Sequence, residues 1–260
     1  MKIGIFDSGL GGLFILKELR RKLRQYNYVY LGDTKNLPYG DKSQKQIFDL
    51  TRKAVEYLFK QDCALVIVAC NTASSQALRK LQQTWLPKSK YKNHRILGII
   101  RPTIEVIGKE KSIGLIGTRR TIDSGAYSRE LENVGWHGLF IEKATPKLVP
   151  MIESNHVDLQ ILKDYLKPFK SSKSLILACT HYGLIKKEIQ KILGLKVRVI
   201  SQEDVLPLKL KNYLSRHLEI SQRLSENSRI TLSVTKSNLN YMRLAKDWFG
   251  PSAKLTVIKY

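Results

Sequence analysis

Two apolar runs end in the same way. LVIVACNTAS at residues 65–74 and SLILACTHYG at 174–183 each close on Ala-Cys followed by polar side chains: Asn71 and Thr72 after Cys70, Thr180 and His181 after Cys179. A thiol is nearly neutral at pH 7, with an ordinary pKa of about 8.5, and becomes a base or nucleophile when it ionises. Two thiols on opposite faces of one tetrahedral carbon can invert it, one removing a proton and the other delivering one. Asp7, which follows the first apolar run, and His181, two residues beyond Cys179, are the candidates for positioning or receiving protons, while Ser8, Asn71, Thr72 and Thr180 offer neutral donors and acceptors that suit the carboxylate and ammonium groups of an amino acid. The third cysteine, Cys63, precedes its apolar run and suits a buried structural position.

The elements that must position these groups are repeated. KIGIFDSG at 2–9 is echoed by SIGLIGTR at 112–119, and the two Ala-Cys runs stand at nearly the same separation, roughly 110 residues. Short apolar runs read as strands at Ile3–Phe6, Tyr28–Leu31, Ala64–Ala69, Ile96–Ile100, Ser112–Ile116, Gly138–Ile141, Leu175–Ala178 and Val197–Ile200, with a further one at Leu255–Ile258. Amphipathic stretches lie between them. Leu13, Leu16, Leu19 and Leu23 share one helical face, and Ser43 with Gln46 has capping-box spacing. Strand and helix alternating in this way predict an α/β fold of two similar lobes, each with a mostly parallel sheet flanked by helices. An approximate two-fold would relate the lobes, with residues 1–97 plus 207–260 in the first and 98–206 in the second. Parallel sheets bind ligands beyond the carboxyl ends of their strands. That rule places Asp7, Ser8, Asp33, Thr34, Cys70, Asn71, Thr72, Thr118, Cys179, Thr180 and His181 at the mouth of a cleft between the lobes.

Composition narrows the choices further. With 260 residues, 43% apolar and 26% charged, the chain is ordinary for a globular protein and long enough for a substantial core without disulfide or metal staples. Its start lacks an apolar export signal, and no run is long enough to span a membrane, so a cytoplasmic protein with three free thiols is expected. Neither C-x-x-C nor H-E-x-x-H occurs, and the glycines of DSGLGG match neither the dinucleotide nor the P-loop spacing, so no metal or nucleotide cofactor is implied. DSGLGG could still offer backbone N–H groups to an anion, and Asp7 suits the N-cap of the helix that follows as well as a site carboxylate. The net charge of +23 is the one oddity, and +18 of it falls in residues 1–97 and 207–260. Its spread over many helices fits a solvated basic surface, with nucleic-acid or gyrase contact as the alternative.

DSGLGG at 7–12, LGDTKNLPYGDKS at 31–43, ACNTAS at 69–74, IGLIGTRRTI at 113–122, PKLVPMIES at 146–154 and LACTHYGLI at 177–185 occur in that order. In this the chain resembles the glutamate racemases of the cofactor-independent aspartate/glutamate racemase superfamily over essentially its whole length. The resemblance implies L- to D-glutamate interconversion for peptidoglycan synthesis, without pyridoxal phosphate or metal, and often a homodimer. It implies Cys70 and Cys179 as the two acid/base thiols, assisted by Asp7, His181 and Glu153; spacing alone would not have selected Glu153. Substrate contacts carried over are Asp7, Ser8, Tyr39, Gly40, Asn71, Thr72, Thr180 and His181. Three segments depart from the family pattern: Arg101 in RPT, where Glu or Gln is usual before Pro; Gly183 in THYG, where Pro is usual; and SQED at 201–204, where a small-residue motif is commoner.

Overall fold

The computed structural model describes all 260 residues. Ten strands form two wholly parallel sheets. The first contains β1 (Lys2–Asp7), β2 (Tyr28–Gly32), β3 (Cys63–Val68), β4 (Arg95–Gly98), β9 (Ile230–Val234) and β10 (Leu255–Val257), in the order β10-β9-β2-β1-β3-β4. The second contains β5 (Ser112–Gly117), β6 (Leu139–Ala144), β7 (Ser174–Ala178) and β8 (Arg198–Ile200), in the order β6-β5-β7-β8. The internal order β2-β1-β3-β4 is therefore reproduced as β6-β5-β7-β8, the structural counterpart of the sequence repeat. The expected α/β architecture of two helix-flanked parallel sheets is observed.

Helices cover the sheets, so the central strands β1, β3, β5 and β7 are buried along nearly their whole length. Ile3, Ile5, Leu65 and Ile67 point into one core, and Phe6, Val66 and Val68 into another. The helix Gly12–Lys22 buries Leu13, Ile15, Leu16 and Leu19 in the first of these cores and leaves its basic residues outward. The helix Gln44–Lys60 closes the opposite face with Ile47, Ala54, Val55 and Leu58. Its start carries the expected capping box, with the Gln46 N–H donating to Ser43 Oγ at 3.3 Å and the Ser43 N–H to Gln46 Oε1 at 2.9 Å.

Two elements differ from the sequence expectation. The strand read as Ile96–Ile100 stops at Gly98, because Pro102 fits the first turn of the helix Ile100–Ile104 and draws Ile99 and Ile100 out of the sheet. Strand β9 has no counterpart among the expected strands. ITLSV is short and carries Thr231 and Ser233, and it gains its place by inserting between β2 and β10.

In both sheets the chain runs outward in opposite directions from a central strand pair, β1/β3 and β5/β7. A crevice opens at such a switch point, beyond the carboxyl ends of the two strands. Asp7 and Cys70 end up at the first crevice, Thr118 and Cys179 at the second.

Candidate active site

Cys70 is the N-cap of the helical turn Asn71–Ala73, and its sulfur accepts the Ala73 N–H at 3.4 Å. Ser8 Oγ lies 3.2 Å from the same sulfur. Burial pushes the Cys70 thiol up to about 12, with the Asp7 carboxylate adding to the rise and the Ser8 and Ala73 hydrogen bonds opposing it. The charge of Cys179 also acts on Cys70, so the two sulfurs share one electrostatic environment.

Asp7 is 1% exposed at the end of β1. Its Oδ2 accepts the backbone N–H groups of Gly9 (3.3 Å) and Gly12 (3.0 Å), while Oδ1 has no partner in the protein. The donors of the DSGLGG loop are therefore directed at the chain's own carboxylate rather than at an external anion. Gly11, not Asp7, occupies the N-cap position. Burial raises the Asp7 carboxyl above its usual range, against the opposing charge of His181 and the loop N–H groups.

Cys179 has a different partner. Its sulfur lies 3.7 Å from His181 Nδ1, and His181 Nε2 lies 3.0 Å from Glu153 Oε1, where the helix Leu148–Glu153 ends. Burial works to lower the His181 pKa, but the hydrogen bonds to Cys179 and Glu153, with their negative charges, lift it to about 10. This setting between a sulfur and a carboxylate favours the protonated form of the ring. Thus Cys70 has a carboxyl group beside it and Cys179 has an imidazole.

The remaining residues selected from the sequence are distributed around this pair. Asn71 accepts from the Tyr127 hydroxyl at 2.6 Å and donates to Gln202 at 3.4 Å, which fixes its amide. Thr72 exchanges hydroxyl contacts with Thr118 (2.9 Å) and Thr121 (3.3 Å), bridging the two sheets' loops. Thr180 and His181 approach Gly11 so closely that a Cβ there would lie 2.4 Å from Thr180 Oγ1 and 2.7 Å from His181 Nδ1. Gly40 faces Thr118, whose Cβ would be 3.9 Å from a Cβ at that position. The Tyr39 hydroxyl is committed to Asp33 at 2.7 Å. Asp33 also accepts from Asn36 and Thr235, so it joins the ends of β2 and β9 and does not open into the cleft as its strand-end position suggested.

Several neighbours carry no signal in the sequence. Tyr127 and Gln202 hold Asn71 from remote elements, and the Trp248 ring meets His181 edge-on, 5.5 Å between centroids. Arg101 lies away from the thiols. It pairs with Glu105 (3.2 Å) and Glu130 (3.3 Å) on the wall of a separate cavity of about 560 Å³. No three His, Cys, Asp or Glu side chains are grouped so as to hold a metal ion, and no helix is long and apolar enough to cross a membrane.

A family model described as Asp/Glu/Hydantoin racemase matches residues 15–206. The chain is 41% identical to the glutamate racemase of Aquifex pyrophilus over 222 residues, covering 82% of this chain and 84% of that one. Its backbone is similar to the crystal structure of a glutamate racemase from Bacillus anthracis, with a TM-score of 0.88, 28% identity and coverage of 99% and 97% of the two chains. The Francisella tularensis glutamate racemase in complex with D-glutamate gives 0.87 with the same identity and coverage. Two equivalent crevices, a thiol in each and a match that spans most of the chain lead to one conclusion: the chain belongs to the Asp/Glu/Hydantoin racemase family and is an amino-acid racemase.

Proposed function

We propose that the enzyme interconverts L-glutamate and D-glutamate by proton transfer at Cα between Cys70 on one face and Cys179 on the other, supplying D-glutamate for peptidoglycan synthesis. What supports this reading is a thiol just beyond a central strand of each sheet, Cys70 with Ser8 and the Asp7 carboxyl beside it and Cys179 with His181. The names of the relatives support glutamate as the substrate.

In one direction the Cys179 thiolate, paired with the His181 imidazolium, takes the Cα proton. The electron pair of the broken C–H bond remains on Cα, delocalised into the substrate carboxylate. The Cys70 thiol delivers its proton to the opposite face and becomes the thiolate. The substrate leaves inverted, and the enzyme now carries its proton on Cys179, the form suited to the other enantiomer. Glu153 holds the far side of His181 and so fixes which ring nitrogen faces the sulfur. The unpartnered Oδ1 of Asp7 suits the substrate ammonium, whose positive charge offsets the carboxylate that raises Cys70. Ser8, Asn71, Thr72 and Thr180 suit the two substrate carboxylates, and donors aimed at the growing negative charge stabilise the transition state more than the ground state. Lobes of residues 1–97 with 207–260 and of 98–206 would close on the substrate from either side.

The test is circular dichroism of L-glutamate, and separately of D-glutamate, incubated with the purified protein without added cofactor, with L-aspartate in parallel. Both glutamate signals are expected to decay to zero. Decay with aspartate alone would move the substrate, and silence with all three would overturn the proposal.

A further inference from the structure

Gly183 and Glu203, 20 positions apart in sequence, meet in space. Gly183 belongs to the turn Tyr182–Ile185, which begins directly after Cys179, Thr180 and His181. Its φ is not in the left-handed region, so the backbone there does not require glycine. A Cβ on Gly183 would lie 2.3 Å from Glu203 Oε1, 2.7 Å from Cδ and 2.8 Å from Oε2, so either the end of the Glu203 side chain or the turn itself must give way to a side chain there. Glu203 is 9% exposed. Burial raises its carboxyl above the usual range, and the Asp204 charge adds to the rise. The Glu203 carboxyl thus occupies the space that a side chain at 183 would take.

The same short segment reaches both thiol-bearing turns. Gln202 donates to Tyr127 and accepts from Asn71, the residue after Cys70. Asp204 accepts from Ser201 at 2.6 Å and pairs with Lys186, which opens the helix after the Tyr182–Ile185 turn. The turn itself is stiff, since the Tyr182 N–H donates to Cys179 O and the Leu184 N–H to His181 O, both at 3.1 Å. A displacement at Gly183 is therefore passed directly to Thr180 and His181.

We propose that Glu203 is a positioning residue for the Cys179 half of the site: seated on Gly183, it sets where Thr180 and His181 stand, and residues 183 and 203 form an exchangeable pair in which one side chain fills one space. Residue 203 acts through the turn and not on the substrate. The proposal rests on the racemase activity only for its kinetic readout.

The experiment is a double-mutant cycle with kcat, KM and Tm measured for Gly183→Ala, Glu203→Ala and the double variant, beside Glu203→Gln. A misplacement of about 1 Å can cost about 10²-fold in rate, so Gly183→Ala is expected to lower kcat by about 10-fold or more while KM moves less than about twofold. Glu203→Gln keeps the size and shape of the carboxyl group and should stay within about twofold of wild type, whereas Glu203→Ala should lose about fivefold in kcat. The double variant should return to within about threefold of wild type, because the new Cβ takes the vacated space. If Gly183→Ala does not fold, recovery of fold and turnover in the double variant supports the proposal equally. Wild-type kcat in Gly183→Ala, or losses that multiply in the double variant, would overturn it. A wild-type protein inactive on glutamate and aspartate would instead overturn the racemase assignment, and the cycle in Tm would still read the 183–203 coupling.

Discussion

Cys70→Ala and Cys179→Ala are each expected to lower glutamate racemisation by at least about 10³-fold, with Tm and near-ultraviolet circular dichroism close to wild type. Each sulfur sits just beyond a strand end, and alanine keeps the Cβ packing while removing only the sulfur. Cys70 accepts one backbone N–H and meets Ser8, and Cys179 meets His181. The cost is chemical. In the proposed mechanism, losing Cys70 removes the proton donor or acceptor on one face of Cα and losing Cys179 removes it on the other. Since both thiols would serve one inversion, each making one of its two proton transfers, the double variant should be little slower than either single one. Turnover within about tenfold of wild type in either single variant would place the chemistry on other groups.

Asp7→Asn is expected to separate activity from stability. Burial raises the folded pKa of Asp7 above its reference value of 3.8. The sign follows from linkage. The stability associated with this raised pKa is fully present below about pH 3.8 and is lost as pH rises through the folded value, so ionising the buried side chain is a cost that grows toward neutral pH. Asparagine keeps an oxygen for the Gly9 and Gly12 N–H groups and removes the buried charge. At pH 7 the Tm should rise by about 2–4 °C for each kcal/mol relieved, and the gain should vanish near pH 4. The kcat/KM for glutamate should fall by about 10²-fold or more, because the substrate ammonium loses its anion. A variant that is both less stable and fully active would contradict the role given to this carboxylate.

The sequence repeat made the two thiols legible because equivalent strands carry equivalent ends. Ala69-Cys70 and Ala178-Cys179 stand at matching positions in sheets of the same strand order. Local rules also served well where an element depends on its own residues, as in the Ser43–Gln46 capping box and the buried leucine face of Gly12–Lys22. They failed where position is set by distant partners. Strand β9 exists because β2 offers it an open edge, and its own residues carry little apolar signal. Asp33 shares its strand-end position with Asp7, yet Tyr39, Asn36 and Thr235 turn it inward. Glu153 reaches His181 across 28 positions of sequence, and Tyr127, Gln202 and Trp248 come from still other helices, so no spacing rule selects them. Gly183 and Glu203 read separately as two unrelated departures, and only their contact shows them as a pair.

The central claim is that two different groups handle the two faces of Cα, and it is tested most directly by racemising L-glutamate in D2O and stopping at low conversion. One thiolate would remove protium from its face while the other thiol, exchanged to S–D, delivers deuterium to the opposite face. The D-glutamate formed should carry deuterium at Cα, and the L-glutamate recovered should still carry protium. Protium carried over into the product, or equal deuterium in both pools from the earliest times, would show one base serving both faces and would contradict the two-thiol account.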